Sequence, residues 1–309
     1  MRVALMIEGQ NGLDWPRWQR ILRAAEDLGY DGVWRSDHFT NANPPDKASL
    51  EMWTSLTYAA SHTERIEFGP LVSPVTFRHP SMTARVAAAV DDLSGGRLVL
   101  GIGAGWQDRE HHNFGLPFPP ANVRLEMLRE YLEVVIRLLR SDGPVSFDGQ
   151  YCQLHDAVLL PRPQRPGGPP ILVGGNGEKK TMPLAARYAD EWNSLFVSPQ
   201  RFADLNRRMD GLVREAGRQP QSVTRSLMLG TIFARDRNDM ARKMTGRGWS
   251  AEAAPEHGQI AGTPEMWVEQ LRAYRDAGVQ RVMLQWLDLD NIPGIETVAR
   301  EVLPAVRAG

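Results

Sequence analysis

The sequence predicts an α/β fold, a (β/α)8 barrel of the TIM type with insertions. Three observations predict it. Apolar strand-like runs alternate with amphipathic helix-like runs from end to end, a pattern that means a parallel sheet. The units number eight within 309 residues, the size of a closed barrel rather than of an open doubly wound sheet. No linker or low-complexity segment divides the chain, so residues 1–309 read as one domain. The alternation is in the sequence; closure is inferred from the count.

The elements follow in order. Arg2 to Ile7 reads as a first strand. Trp15 to Leu28 carries Trp18, Ile21, Leu22, Ala25 and Leu28 at helical spacing and stops at Gly29. Gly32 to Arg35 is a short second strand, and Met52 to Ser61 a helix. Ile66 to Val72 is the third strand, before a helix from Ser81 to Leu93. Arg97 to Ile102 is the fourth, before a long helix from Val123 to Arg140. Pro170 to Val173, Glu191 to Ser194, a segment within Thr224 to Ala234, and Arg281 to Gln285 complete the strands. Their helices are Lys179 to Tyr188, Pro199 to Ala216, Pro264 to Ala277 and Ile295 to Val306. Four longer stretches interrupt the alternation, near 37–50, 106–121, 142–169 and 236–262. The third contains "PVSFDGQYCQL", a small hairpin turning at Asp148-Gly149. The first two follow strands, on the face where barrels place their active sites, and are expected to wall one.

Composition narrows the function. A net charge of −1 argues against a general nucleic-acid or membrane-surface binder, which needs a basic face. The single cysteine, Cys152, leaves no internal disulfide framework and fits a reducing, cytoplasmic setting. The opening MRVALMIEGQ is too short and too soon interrupted by Glu8 for a signal peptide, and no apolar stretch reaches membrane-spanning length. Nine tryptophans are compatible with a pocket for a flat ring and equally with core packing.

The stretch Gly96 to Gly115, "GRLVLGIGAGWQDREHHNFG", admits three readings. Gly101 to Gly105 spells GxGxG but follows the fourth strand, without a second strand ending in an acid, so a dinucleotide fingerprint is set aside. On a helix Asp108 would share a face with His111 and His112. Adjacent histidines converge poorly on one ion, however, and with Glu110 they form no HExxH or CxxC pattern, so no metal site is expected. The third reading is a barrel rim, where glycines let a flat ring approach the backbone and Trp106 stands at the mouth.

Several motifs then carry a resemblance. "GRLVLGIGAGW" with the following "EHHNFGLPFPPANVRLEMLREYLEVVIRLL", "LGYDGVWRSDHF" and "PPILVGGNGEKKTMPLAARYADEWN" closely resemble the luciferase-like monooxygenase superfamily. The match spans most of the chain in order. Within the superfamily the chain looks most like the branch that uses coenzyme F420, a deazaflavin. The resemblance implies a bacterial luciferase-like barrel holding the ring in its mouth. The acid-histidine pair of that branch falls on Asp37 and His38, where it contacts the polar edge of the ring; histidine near neutral pKa suits proton transfer. A non-proline cis peptide behind the ring falls at Leu71–Val72. Gly103 and Gly105 line the ring's approach. The phosphate falls to Gly174, Gly175, Asn176 and Gly177, at a helix start where open N–H groups hold anions, with Lys179 and Lys180 beside them.

Two departures matter. Where sugar-phosphate dehydrogenases of this branch carry a glutamate after the fourth-strand glycines, this chain has Trp106, and Arg109 replaces an asparagine that contacts cofactor. Trp106 therefore suggests a more apolar substrate, and Glu8 becomes the alternative acid or base, a half-buried carboxylate whose pKa burial can raise. The expectation is a coenzyme F420-dependent oxidoreductase moving hydride between the deazaflavin C5 and a small organic substrate. The alternatives are an FMN-dependent monooxygenase on the same barrel and a non-catalytic cofactor-binding protein. A homodimer is expected from the resemblance.

Overall fold

The computed structural model describes residues 1–308. Its elements run β1 (Arg2–Ile7), α1 (Trp15–Asp27), β2 (Gly32–Arg35), α2 (Met52–His62), β3 (Glu67–Pro70), β4 (Ser73–Pro74), α3 (Pro80–Leu93) and β5 (Leu100–Gly103). There follow α4 (Asp108–Asn113), α5 (Ala121–Arg140), β6 (Val145–Asp148), β7 (Gln153–Ala157), β8 (Ile171–Gly174), α6 (Thr181–Tyr188), β9 (Glu191–Leu195) and α7 (Pro199–Glu215). The chain ends with β10 (Thr224–Phe233), α8 (Arg237–Met244), β11 (Gln259–Gly262), α9 (Pro264–Asp276), β12 (Arg281–Gln285), α10 (Ile292–Thr297) and α11 (Leu303–Arg307).

Helix starts follow their local chemistry. Asp14 accepts from the Arg17 amide at the head of α1, and Ser198 from that of Arg201 at the head of α7; each is followed within two residues by proline. The strands form one parallel sheet in the order β3-β2-β1-β12-β10-β9-β8-β5-β4. A parallel bridge between Phe68 and Leu98 joins its two ends and closes the ring. Glycine makes that seam possible: a Cβ on Gly69 would lie 2.0 Å from the Val99 carbonyl oxygen.

Alternation along each strand divides the core in two. Ala4, Met6, Trp34, Val99, Leu172, Met228 and Met283 point inward and fill the barrel. The opposite residues, such as Val3, Leu5 and Ile7 of β1, pack outward with the helices. Below Trp34 lies a buried charge cluster. Arg281, 1% exposed, donates to Glu191 at 2.7 Å and to Glu67, and its guanidinium carbon lies 4.6 Å from the centre of the Trp34 ring. Burial pushes the Glu191 carboxyl above its ordinary range, against the pull of Arg281.

The barrel strands coincide with the eight read from the sequence, each shifted by at most a few residues, with the third divided into β3 and β4. Three further details differ, besides the short helix α8 within the 236–262 insertion. β11, unforeseen, extends the upper half of β10 in parallel pairing from Gly230↔Gln259 to Phe233↔Gly262. The 106–121 insertion contains the short helix α4. The final helix is three pieces, with a π-helical turn at Val298–Val302 between α10 and α11. The expected hairpin is present, β6 antiparallel to β7, but it turns through Gly149–Cys152 rather than at Asp148-Gly149, because Asp148 still pairs with Gln153. No helix among the described residues is long and apolar enough to cross a membrane.

Candidate active site

The C-terminal ends of the strands open into a cavity of about 670 Å³, within the range of small-molecule and cofactor sites. Both post-strand insertions wall it, the first through Asn41 and Ala42, the second through Trp106, Gln107 and Glu110. Arg109 ties these insertions together. Its guanidinium grips Asp46 with two bonds of 2.7 Å and donates to the Asn41 carbonyl at 2.8 Å. Phe39 stacks on Phe77 at 4.4 Å and meets Phe114 edge-on at 4.9 Å, which stiffens the same corner.

His38 follows β2 and reaches the cavity wall. Its Nδ1 lies 2.7 Å from Glu110 Oε1, while Glu110 Oε2 accepts from the Phe39 amide at 2.9 Å. A carboxylate only accepts, so Nδ1 carries the proton of the neutral ring and Nε2 is the nitrogen left for the cavity. Burial works against the imidazolium. The Glu110 hydrogen bond and the charges of Glu110, Glu8 and Asp37 outweigh it and lift the His38 pKa above its ordinary value. Trp106 meets the His38 ring edge-on, with centres 5.5 Å apart, and is 64% exposed at the rim.

Glu8, past the end of β1, is held from both sides. Gln285 Nε2 donates to Oε1 at 2.7 Å and Gln10 Nε2 to Oε2 at 2.9 Å. Ser36 Oγ donates to Gln10 Oε1 at 2.7 Å, which fixes the amide with its nitrogen toward Glu8. Another part of the wall is an apolar ledge. The Leu71–Val72 peptide is cis, and both side chains line the cavity. A Cβ on Gly103 would come within 2.4 Å of Val72 Cγ2, so the ledge occupies the room that this glycine leaves.

At the end of β8, Gly174 and Gly175 line the cavity, while Asn176 and Gly177 lie outside its lining. The amides of Asn176 and Gly177 make no hydrogen bond among the described residues. The Asn176 side chain turns inward, donating to the Leu195 carbonyl and accepting from Ser194 Oγ and the Leu195 amide. Lys179 and Lys180 are exposed just before α6.

Of the residues singled out in the sequence, Glu8, His38, Leu71, Val72, Gly103, Gly105, Trp106, Gly174 and Gly175 therefore surround one cavity. Asp37 does not reach it. Two per cent exposed, it is held by Arg78 and Ser73 Oγ and anchors the loop after β2 to that after β4. Arg109 also lies outside the lining, spent on Asp46. The group weighed as metal ligands disperses: Glu110 faces His38, His111 bonds Thr76 and the Gln107 carbonyl, and His112 is exposed. Glu110 was not foreseen as a partner of His38. It sits about one helical turn past Trp106, a spacing that offers a carboxylate to the same rim. Gln285 and Asn193, also lining the cavity, were missed. Their signal is a polar residue of inward parity near a barrel-strand end.

A model of the luciferase-like monooxygenase family matches residues 1–260. An F420-dependent glucose-6-phosphate dehydrogenase of Amycolatopsis mediterranei is 27% identical over 317 residues, covering 92% of each chain. A 4-hydroxyprotoasukamycin monooxygenase of Streptomyces nodosus subsp. asukaensis is 30% identical over 258 residues, 82% of this chain and 68% of that one. Among solved structures, an F420-dependent secondary alcohol dehydrogenase carrying an F420–acetone adduct superposes with a TM-score of 0.85 over 99% of both chains at 21% identity, a likeness of fold. The barrel, the cavity at its mouth and the family match agree: the chain belongs to the luciferase-like monooxygenase family.

Proposed function

We propose that this protein is a coenzyme F420-dependent oxidoreductase. The observation that carries the reading is one cavity with an apolar ledge, Leu71–Val72, on one wall and the Glu110-held imidazole of His38 on another. The residues fit a deazaflavin. The ledge suits a flat ring, and the open amides of Asn176 and Gly177, with Lys179 and Lys180 nearby, suit a phosphate. The dehydrogenase relative supports the cofactor.

Bound here, the deazaflavin supplies hydride chemistry at its C5. The chain's own residues supply the rest. His38 gives a proton through Nε2 to the oxygen of a carbonyl as it becomes an alcohol, or takes it in the reverse direction. Glu110 holds the imidazole in the required tautomer and favours its charged form. Trp106, at the rim, sets an apolar face beside the His38 ring.

The test is a fluorescence titration of the protein with coenzyme F420 and, separately, with FMN. Saturable F420 binding with weak FMN binding is expected. Preferential FMN binding would favour the monooxygenase reading, for which the Streptomyces relative speaks. Binding without turnover of any acceptor would leave a non-catalytic binding protein.

A further inference from the structure

We infer that the substrate end of the cavity takes an uncharged or cationic carbonyl compound or alcohol and refuses an anionic one, with Glu8 as the discriminating residue. The inference rests on the hydride-transfer reading and names its substrate class.

Among the described residues, no lysine or arginine lines the cavity; its ionisable side chains are Glu8, His38 and Glu110. The Glu110 charge is met by His38 at 2.7 Å. Glu8 has no ion-pair partner among the described residues. Its two oxygens accept from the amides of Gln285 and Gln10, at 2.7 and 2.9 Å. Amides orient a carboxylate without neutralising it. Because Gln10 is itself fixed by Ser36 and Gln285 belongs to β12, the charge is held in place.

Its surroundings strengthen it. Leu195, Phe196, Met228, Leu287 and Trp106 line the same space, and apolar walls raise the effective strength of a fixed charge. Lys243 and Arg247 line a separate cleft that shares only Leu287 with this one. Lys243 is committed to the Phe233 carbonyl at 2.7 Å and to Asp239 at 3.3 Å. A phosphate or carboxylate on the substrate would thus meet the fixed charge of Glu8 and no lysine or arginine, the His38 cation being already paired with Glu110. A neutral ketone meets His38 as donor, and a cation meets Glu8 and the exposed face of Trp106.

The test uses one ketone in three charge states: acetophenone, 4-acetylbenzoate and 4-acetylphenyltrimethylammonium. Turnover is followed by oxidation of reduced F420, and binding of all three by quenching of tryptophan fluorescence, with and without cofactor. The neutral and cationic ketones are expected to exceed the carboxylate at least about tenfold in kcat/KM and in affinity, the scale of an unscreened like-charge contact in a partly apolar site. Glu8→Gln, with its fold checked by circular dichroism, is expected to narrow that gap. A carboxylate handled as well as the neutral ketone, binding of none of the three, or a gap unchanged in Glu8→Gln overturns the inference. Failure of F420 itself to bind overturns the cofactor reading instead, and the charge order is then read from quenching alone.

Discussion

Replacing Glu110 by glutamine separates the geometry of the His38 contact from its charge. Glu110 is 1% exposed and accepts two hydrogen bonds, from His38 Nδ1 at 2.7 Å and from the Phe39 amide at 2.9 Å. Glutamine keeps the length but offers one oxygen. If that oxygen stays on Phe39, the new NH2 faces Nδ1 and forces the neutral imidazole into the other tautomer, with its proton on Nε2. The His38 pKa is expected to fall, because the hydrogen bond and charge of Glu110 are gone and only the charges of Glu8 and Asp37 still oppose its burial. A hydrogen bond to a charged group contributes about 1.5–3 kcal/mol and a neutral one about 1 kcal/mol. The loss should therefore approach about 2–3 kcal/mol in acid and shrink toward about 1 kcal/mol in base. The direction follows from linkage. A histidine whose folded-state pKa is raised stabilises the fold fully below its unfolded value, about 6.5, and loses that contribution as pH rises through the folded value. Urea denaturation of both proteins on either side of this window measures the difference, and long-range 1H–15N spectra of the imidazole report tautomer and titration directly. An unmoved His38 titration, or a stability difference that does not shrink as pH rises, would refute the assignment of Glu110 as the residue that positions and charges His38.

Four further outcomes are expected. Arg78→Met strands Asp37, 2% exposed, and should cost about 3 kcal/mol in chemical denaturation. Gly103→Ala drives a methyl against Val72 and should cost about 1–3 kcal/mol while weakening deazaflavin affinity in a fluorescence titration; unaltered affinity would remove the ledge from the cofactor site. Trp106→Ala, at an exposed rim position, should change stability by no more than about 0.5 kcal/mol yet raise KM for apolar acceptors. At the barrel base, Arg281→Met leaves Glu191 buried without its counter-charge and should cost about 3–5 kcal/mol, more than Glu191→Gln measured in the same way.

The sequence by itself determined the eight strands and most of their helices, because alternation and helical spacing are local properties of burial. Arg281–Gln285 could be bounded from its own five residues, and the hairpin could be recognised, though its turn lies at Gly149–Cys152, just past the expected Asp148-Gly149. The resemblance carried by its motifs also marked the segments at the mouth: His38, Leu71–Val72, Trp106, Gly174 and Gly175 all reach one cavity, whereas Asn176 and Gly177 lie outside its lining. Only the tertiary structure decided which side chains meet there. His38 and Glu110 are 72 residues apart, and Glu8 and Gln285 277 apart. Their contacts depend on ring closure at the Phe68–Leu98 seam and on the path of two insertions pinned by Arg109 to Asp46. The same three-dimensional pairing turned Asp37 away toward Arg78 and drew β11 onto β10. Periodicity fixes which face a residue occupies. Which neighbour it finds depends on strand order and loop path, and hydrogen bonds of under 3 Å are formed only once those are set.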